Sequence, residues 1–141
     1  MADRDDNETT SPTPEAARLA TVLVIDDDPL ISRVIRRILK KYDVTVHNNG
    51  ADAIQYCIAH RPALVLCDMN LTGMNGMHLY TQVQAQAPEM TERFVFMTGG
   101  VFEPEMKGFL DRIDNPVLMK PFGTKALRAL VQDQLHGGNA G

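Results

Sequence analysis

Short apolar runs alternate along this chain with segments that are apolar on one side only. The runs are TVLVI (21–25), VTV (44–46), ALVLC (63–67), FVFM (94–97) and PVLM (116–119). Most are apolar at successive positions, the pattern of strands buried on both faces of a parallel sheet covered by helices. Between them, Leu30, Ile31, Val34, Ile35, Ile38 and Leu39 recur at helical spacing. Asp28 suits the cap of that helix and Pro29 its first turn. Ala53, Ile54, Cys57 and Ile58 form a second stripe, after the turn residues Asn48, Asn49 and Gly50. Leu79 and Val83 anchor a third. Met106, Phe109, Leu110 and Ile113 make a fourth, and Leu127, Leu130, Val131 and Leu135 a fifth. All these stripes are read as core-facing. The alternation predicts an α/β fold, a doubly wound (βα)₅ parallel sheet.

Residues 1–18 are polar, acidic and rich in Ser, Thr and Pro, and are expected to be a flexible tail; 136–141 are expected to fray. The domain is thus expected over 19–135. The 141 residues suit one domain, and 44% hydrophobic with 23% charged residues suits a folded one. A net charge of -4 argues against direct nucleic-acid binding, which usually needs a basic face. Membrane insertion is not expected, since no apolar run approaches the roughly 20 residues needed to span a bilayer. The N-terminus lacks the apolar core of a secretory signal, so the expected location is cytoplasmic. Cys57 and Cys67 have no metal-site spacing and are expected to be buried free thiols. His47, His60, His78 and His136 are scattered and form no metal set.

The chemistry lies just after the strands. TVLVI runs into Asp26, Asp27 and Asp28, ALVLC into Asp68, FVFM into Thr98 and PVLM into Lys120. In a parallel sheet these positions share the carboxyl edge, where open α/β sheets bind their ligands. Taken singly, each has a plain reading: a helix cap with solvated acids, a turn aspartate, a strand-end hydroxyl, a surface lysine. Together they predict a crevice in which Asp26, Asp27 and Asp68 repel one another unless a cation intervenes. Hard oxygen ligands favour Mg²⁺, or Mn²⁺. Lys120 and Thr98 would neutralise and bind a phosphoryl group, and a carboxylate can be its acceptor.

The segments IDDDP, LCDMNLTGMNG, FMTGG and LMKPF, in this order and spacing, resemble the response-regulator receiver domain of two-component signalling over about residues 20–135. The resemblance implies a flavodoxin-like fold of strand order 2-1-3-4-5 and a phosphoacceptor rather than an enzyme. It implies Asp68 as phosphoacceptor, and Asp26, Asp27, Asp68 and the main-chain carbonyl of Asn70 around the metal. Thr98 would engage the phosphoryl group and Lys120 would pair with Asp68, with a cis Lys120–Pro121 bond. The implied donor is a histidine kinase or histidine phosphotransfer protein. The implied output is the face of the fourth helix, fifth strand and fifth helix, including Glu103, Glu105, Lys107, Asp111 and Arg112. Val117 stands where many receivers carry an aromatic switch residue, which puts that form of coupling in question. Gly99–Gly100 is expected to make the loop after the fourth strand pliable, and Gly100, lacking a side chain, to leave water access to the phosphoryl group. Gly76 is expected to let the loop turn into the third helix. The stretch from MTGG to LMKPF also resembles receivers attached to hybrid histidine kinases, so the chain reads as stand-alone or as part of such a kinase.

Three other readings fit less well. An aspartate-nucleophile phosphohydrolase needs a second acid where Asn70 stands. A receiver-like module that is never phosphorylated would not need the full set of acids, hydroxyl and lysine. A dinucleotide-binding domain would follow its first strand with a glycine-rich turn and not with Asp26–Asp28.

Overall fold

The computed structural model describes residues 19–100 and 103–137. Its element order is β1 (Thr21–Ile25), α1 (Pro29–Ile38), β2 (Asp43–His47), α2 (Gly50–His60), β3 (Leu64–Asp68), β4 (Asn70–Leu71), β5 (Met74–Asn75), α3 (Gly76–Gln86), β6 (Phe94–Thr98), α4 (Pro104–Arg112), β7 (Val117–Met119) and α5 (Thr124–Gln132). A 3₁₀ turn, Pro88–Arg93, precedes β6, and a π-helical turn, Asp133–Gly137, follows α5. The expected tail 1–18 lies outside the described residues, as do 138–141 of the expected C-terminal tail.

The main sheet is parallel throughout, in the order β2-β1-β3-β6-β7. Counted by its own strands alone it reads 2-1-3-4-5, the flavodoxin-like order expected. Central strands β1, β3 and β6 are buried on both faces, and their residues alternate between two cores. Leu23, Ile25, Val65, Cys67, Phe94 and Phe96 meet α2, α3 and α4 on one side. Val22, Val24, Leu64, Leu66, Val95 and Met97 meet α1 and α5 on the other. Tyr80, Phe94, Phe96 and Phe109 pack as an aromatic cluster with neighbouring centroids 5.2–5.8 Å apart. Both cysteines are buried free thiols, as expected; burial pushes the Cys57 thiol up to about 12 and the Cys67 thiol well above its usual value.

Side-chain caps start α1, α2 and α3 where they begin. The Asp28 side chain accepts the Leu30 N–H, Asn49 accepts that of Asp52, and Asn75 that of His78. These contacts satisfy donors that a helix start leaves open. Three details depart from the sequence reading. Leu30 and Val34 are not core residues: they are 64% and 48% exposed. Ile31, Ile35, Ile38 and Leu39, spaced i, i+4, i+7 and i+8, already fill the contact face, and their neighbours at one residue's rotation fall outside it. The segment after Asp68 forms a small antiparallel hairpin, β4–β5, with Gly73 at φ +82° in its turn. Gly76 does not serve the turn. It is the first residue of α3, and a Cβ there would lie 3.0 Å from the Asp68 carbonyl oxygen and 3.1 Å from Met69 Cα. Close backbone approach explains that glycine, and it seats α3 directly under the Asp68 loop.

Candidate functional site

Each expected site residue lies at the carboxyl edge because its strand delivers it there. Asp26 and Asp27 follow β1, Asp68 ends β3, Thr98 ends β6 and Lys120 follows β7. The crevice opens between β1 and β3, where the chain turns to opposite sides of the sheet; open α/β folds hold ligands at such a point.

Asp26 and Asp68 are nearly inaccessible, at 1% and 6% exposure. The Lys120 ammonium joins them, donating to Asp26 Oδ2 at 3.0 Å and to Asp68 Oδ2 at 3.2 Å. Asp26 Oδ1 accepts the Asp28 N–H and Asp68 Oδ1 accepts the Asn70 N–H, at 2.9 and 3.1 Å. Asp27 is more open, and its Oδ2 accepts both the N–H and the hydroxyl of Thr72 at 2.9 and 2.6 Å. One carboxylate oxygen from each of Asp26, Asp27 and Asp68 lies within 4.8 Å of the others. Such a set of hard oxygens, two buried and the third open to solvent, fits a Mg²⁺-sized cation that keeps some of its waters. The Lys120–Pro121 peptide is cis, as the resemblance implied.

Thr98 is fully buried, and its hydroxyl accepts the Gly100 N–H at 3.1 Å. Gly100 has φ +92°, and a Cβ there would lie 2.8 Å from Met119 Cε. A side chain at 100 is therefore opposed by backbone strain, whereas the flexible end of Met119 could move aside. Met119 and Val117 are both exposed on β7, at 51% and 37%. Glu103, Glu105, Lys107, Asp111 and Arg112 are exposed on or just before α4, and Lys107 meets Asp111 at 3.3 Å. Among the histidines, His47 and His60 flank the Tyr56 ring, with centroids 5.1 and 4.5 Å away.

The electrostatics separate the acids. Burial raises the Asp68 carboxyl above the ordinary carboxylate value; the Asn70 N–H opposes this, the Asp26 charge adds to it, and Lys120 pulls back only in part. The Thr72 hydroxyl and N–H hold the Asp27 carboxyl below its ordinary value. For Lys120, burial alone would lower the ammonium, but the hydrogen bond to Asp26 and the charges of Asp68 and Asp26 leave it raised. A carboxyl raised on folding favours the fold at low pH and loses that contribution as pH climbs through its folded value. In metal-free protein, Asp68→Asn is therefore expected to melt higher than wild type at neutral pH. The gap should close on acidification below the ordinary carboxylate range and shrink when Mg²⁺ is added. Thermal melts across pH, with and without Mg²⁺, measure this; an equal gap at every pH would contradict it.

Thr72 was not among the residues singled out in the sequence. Only the Asp–Met–Asn–Leu–Thr–Gly order after the third apolar run was visible, and nothing local shows a threonine reaching 45 residues back to Asp27.

Fold and crevice together define a flavodoxin-like α/β domain with a cation-sized acidic site on its switch point. The family model of the response regulator receiver domain matches residues 22–132, and the chain belongs to that family, the phosphoacceptor signalling domain of two-component systems. Among similar proteins, the protein-glutamate methylesterase/protein-glutamine glutaminase 2 of Burkholderia lata is 31% identical over 111 residues, 73% of this chain and 33% of that protein. The DNA-binding response regulator MtrA of Mycolicibacterium smegmatis is 30% identical over 116 residues, 81% of this chain and 50% of that protein. The chain thus spans between about a third and a half of these curated relatives. The receiver domain of the sensor histidine kinase PA1611 from Pseudomonas aeruginosa, whose structure has magnesium in its active site cleft, superposes with TM-score 0.73 at 22% identity, covering 83% of this chain and 98% of that one. Among the described residues, no helix is long and apolar enough to cross a membrane.

Proposed function

We propose that Asp68 takes up a phosphoryl group from a histidine kinase or histidine phosphotransfer protein, and that this resets a protein-docking face on the same domain. The observation that carries the reading is the Lys120 ammonium shared between Asp26 and Asp68 beside Asp27. Asp26, Asp27, Asp68 and the Asn70 main-chain carbonyl would hold Mg²⁺, and Mn²⁺ would meet the same ligand preference. When bound, the cation supplies charge neutralisation for the carboxylates and for the incoming phosphoryl oxygens.

The chain's own groups do the rest. An Asp68 carboxylate oxygen forms the bond to phosphorus as the phosphorus–nitrogen bond to the donor imidazole breaks, and the imidazole keeps the electron pair and takes a proton. Lys120, within reach of Asp68 Oδ2, pairs with the phosphoryl oxygens that replace its carboxylate contact. The Thr98 hydroxyl, which now accepts from Gly100, turns to donate to the phosphoryl group and so releases the β6–α4 loop. Up to about two negative charges enter a confined site, and only such differential contacts shift the population of the output face. That face is α4, β7 and α5, with Glu103, Glu105, Lys107, Asp111 and Arg112 on its rim. Val117 is not an aromatic reporter, so the loop itself carries the change. The domain spans 19–135, acts as a phosphoacceptor and not as an enzyme, works in the cytoplasm, and meets proteins rather than nucleic acid or membrane. An aspartate-nucleophile hydrolase would need a carboxyl where Asn70 stands.

Beryllofluoride with Mg²⁺ mimics the phosphorylated aspartate and tests this. Amide resonances of Asp68, Thr98, Gly100 and α4 are expected to shift together. Shifts confined to the surroundings of Asp68 would sink the propagated switch, and no shift at all would sink the site.

A further inference from the structure

Asp27 is the outermost of three acids that repel one another across one crevice. Asp26 and Asp68 share the Lys120 ammonium. Asp27 is held differently, from the hairpin turn between β4 and β5. There Thr72 places its main-chain N–H at 2.9 Å and its hydroxyl at 2.6 Å from the same oxygen, Oδ2. The hydroxyl distance is that of a strong hydrogen bond to an ionised acceptor. A carboxylate gripped twice on one oxygen cannot swing freely, and its ligand atom stays within 4.8 Å of those of Asp26 and Asp68.

The grip also ties two loops together. Thr72 is four positions beyond Asp68 on the same loop, whose first turn is itself closed by the Asn70 N–H to Asp68 Oδ1. Through Thr72, the loop leading into α1 and the loop following β3 are fixed relative to each other before any cation arrives. Resting on the reading of the crevice as a Mg²⁺ site, we infer that Thr72 is a positioning residue for that site: its hydroxyl and amide lock Asp27 in ligand geometry and thereby set the affinity for Mg²⁺. Groups that orient a metal-binding side chain typically account for tenfold or more of metal affinity.

Thr72→Val keeps the side-chain shape and the main-chain N–H and removes only the hydroxyl. Its Mg²⁺ dissociation constant, measured by titration calorimetry without any phosphodonor, is expected to rise about tenfold. Thr72→Ser returns the hydroxyl and is expected to restore wild-type affinity, which a purely structural role for the threonine methyl would not do. Amide spectra of both metal-free variants should differ from wild type only around the Thr72 turn and the Asp27 loop, showing that the fold persists. A valine variant that binds Mg²⁺ as tightly as wild type overturns the proposal, and so does a serine variant as weak as the valine one. A wild-type chain that takes up no Mg²⁺ overturns the underlying reading of the crevice itself, an outcome separate from both.

Discussion

Asp68→Ala is expected to take up no phosphoryl group from acetyl phosphate and Mg²⁺ under conditions that label the wild-type chain. The reason is geometric. Asp68 ends a fully buried central strand, is 6% exposed, and is, among the described residues, the one acid in contact with both the Asn70 loop and Lys120. Asp26 is still less exposed, at 1%, and its two oxygens are engaged by Asp28 and Lys120. Asp27 Oδ2 is committed to Thr72. Alanine should not unfold the domain, because burial already disfavours the ionised Asp68 carboxyl and the strand register on both sides is set by apolar residues. The measurement is phosphate that hydroxylamine releases, as it does from an acyl phosphate. Full labelling of the alanine variant would move the acceptor elsewhere and end the phosphoacceptor assignment for this position.

Lys120→Met is expected to slow the same labelling by about a hundredfold, the usual loss when a positioned group that stabilises developing charge is removed. Lys120 is itself only partly exposed, so its stem packs as a methionine would while its ammonium serves two buried carboxylates at once. Methionine keeps the stem and removes the charge. Asp26 and Asp68 are then left facing each other, and the ionised pair becomes less favourable. The variant should therefore also gain more thermal stability from Mg²⁺ than wild type does, because the cation replaces a lost counter-charge. Initial labelling rates at fixed acetyl phosphate and Mg²⁺ decide the matter; a rate equal to wild type would show that Lys120 is a surface ion-pair partner and nothing more.

These two residues illustrate how much of the site was legible beforehand. Asp68 and Lys120 each follow an apolar run, and a run that ends in a polar residue marks a strand's carboxyl end whatever the rest of the fold does. The same rule found Asp26, Asp27 and Thr98. It could not show that Lys120 touches Asp26 as well as Asp68, since that depends on β1, β3 and β7 lying in one sheet with β6 between the last two. The Asp28 cap was readable because a cap acts within three residues of itself, whereas Asn49, read as a turn residue, caps α2 in the structure. The hairpin β4–β5 was not, because strands of two residues have no periodicity to display.

Gly76 and Leu30 mark the boundary from opposite sides. The sequence showed a glycine after a turn and assigned it to the turn; only the packed structure shows that the Asp68 carbonyl passes too close for a Cβ. The sequence showed an apolar stripe and assigned all of it to the core; the structure leaves Leu30 and Val34 outside, because one helix face was already filled.

By itself, then, the sequence determined the alternation of strands and helices, the doubly wound class, the start of α1 and the identity of the acids, hydroxyl and lysine at strand ends. Those properties follow from hydrophobic spacing and from contacts a few residues long. Tertiary structure alone decided which oxygen each donor holds, how far apart the three carboxylates stand, and that Thr72 grips Asp27 from a distant hairpin. Such distances belong to strands brought side by side by burial, and no stretch of chain carries them before the sheet has formed.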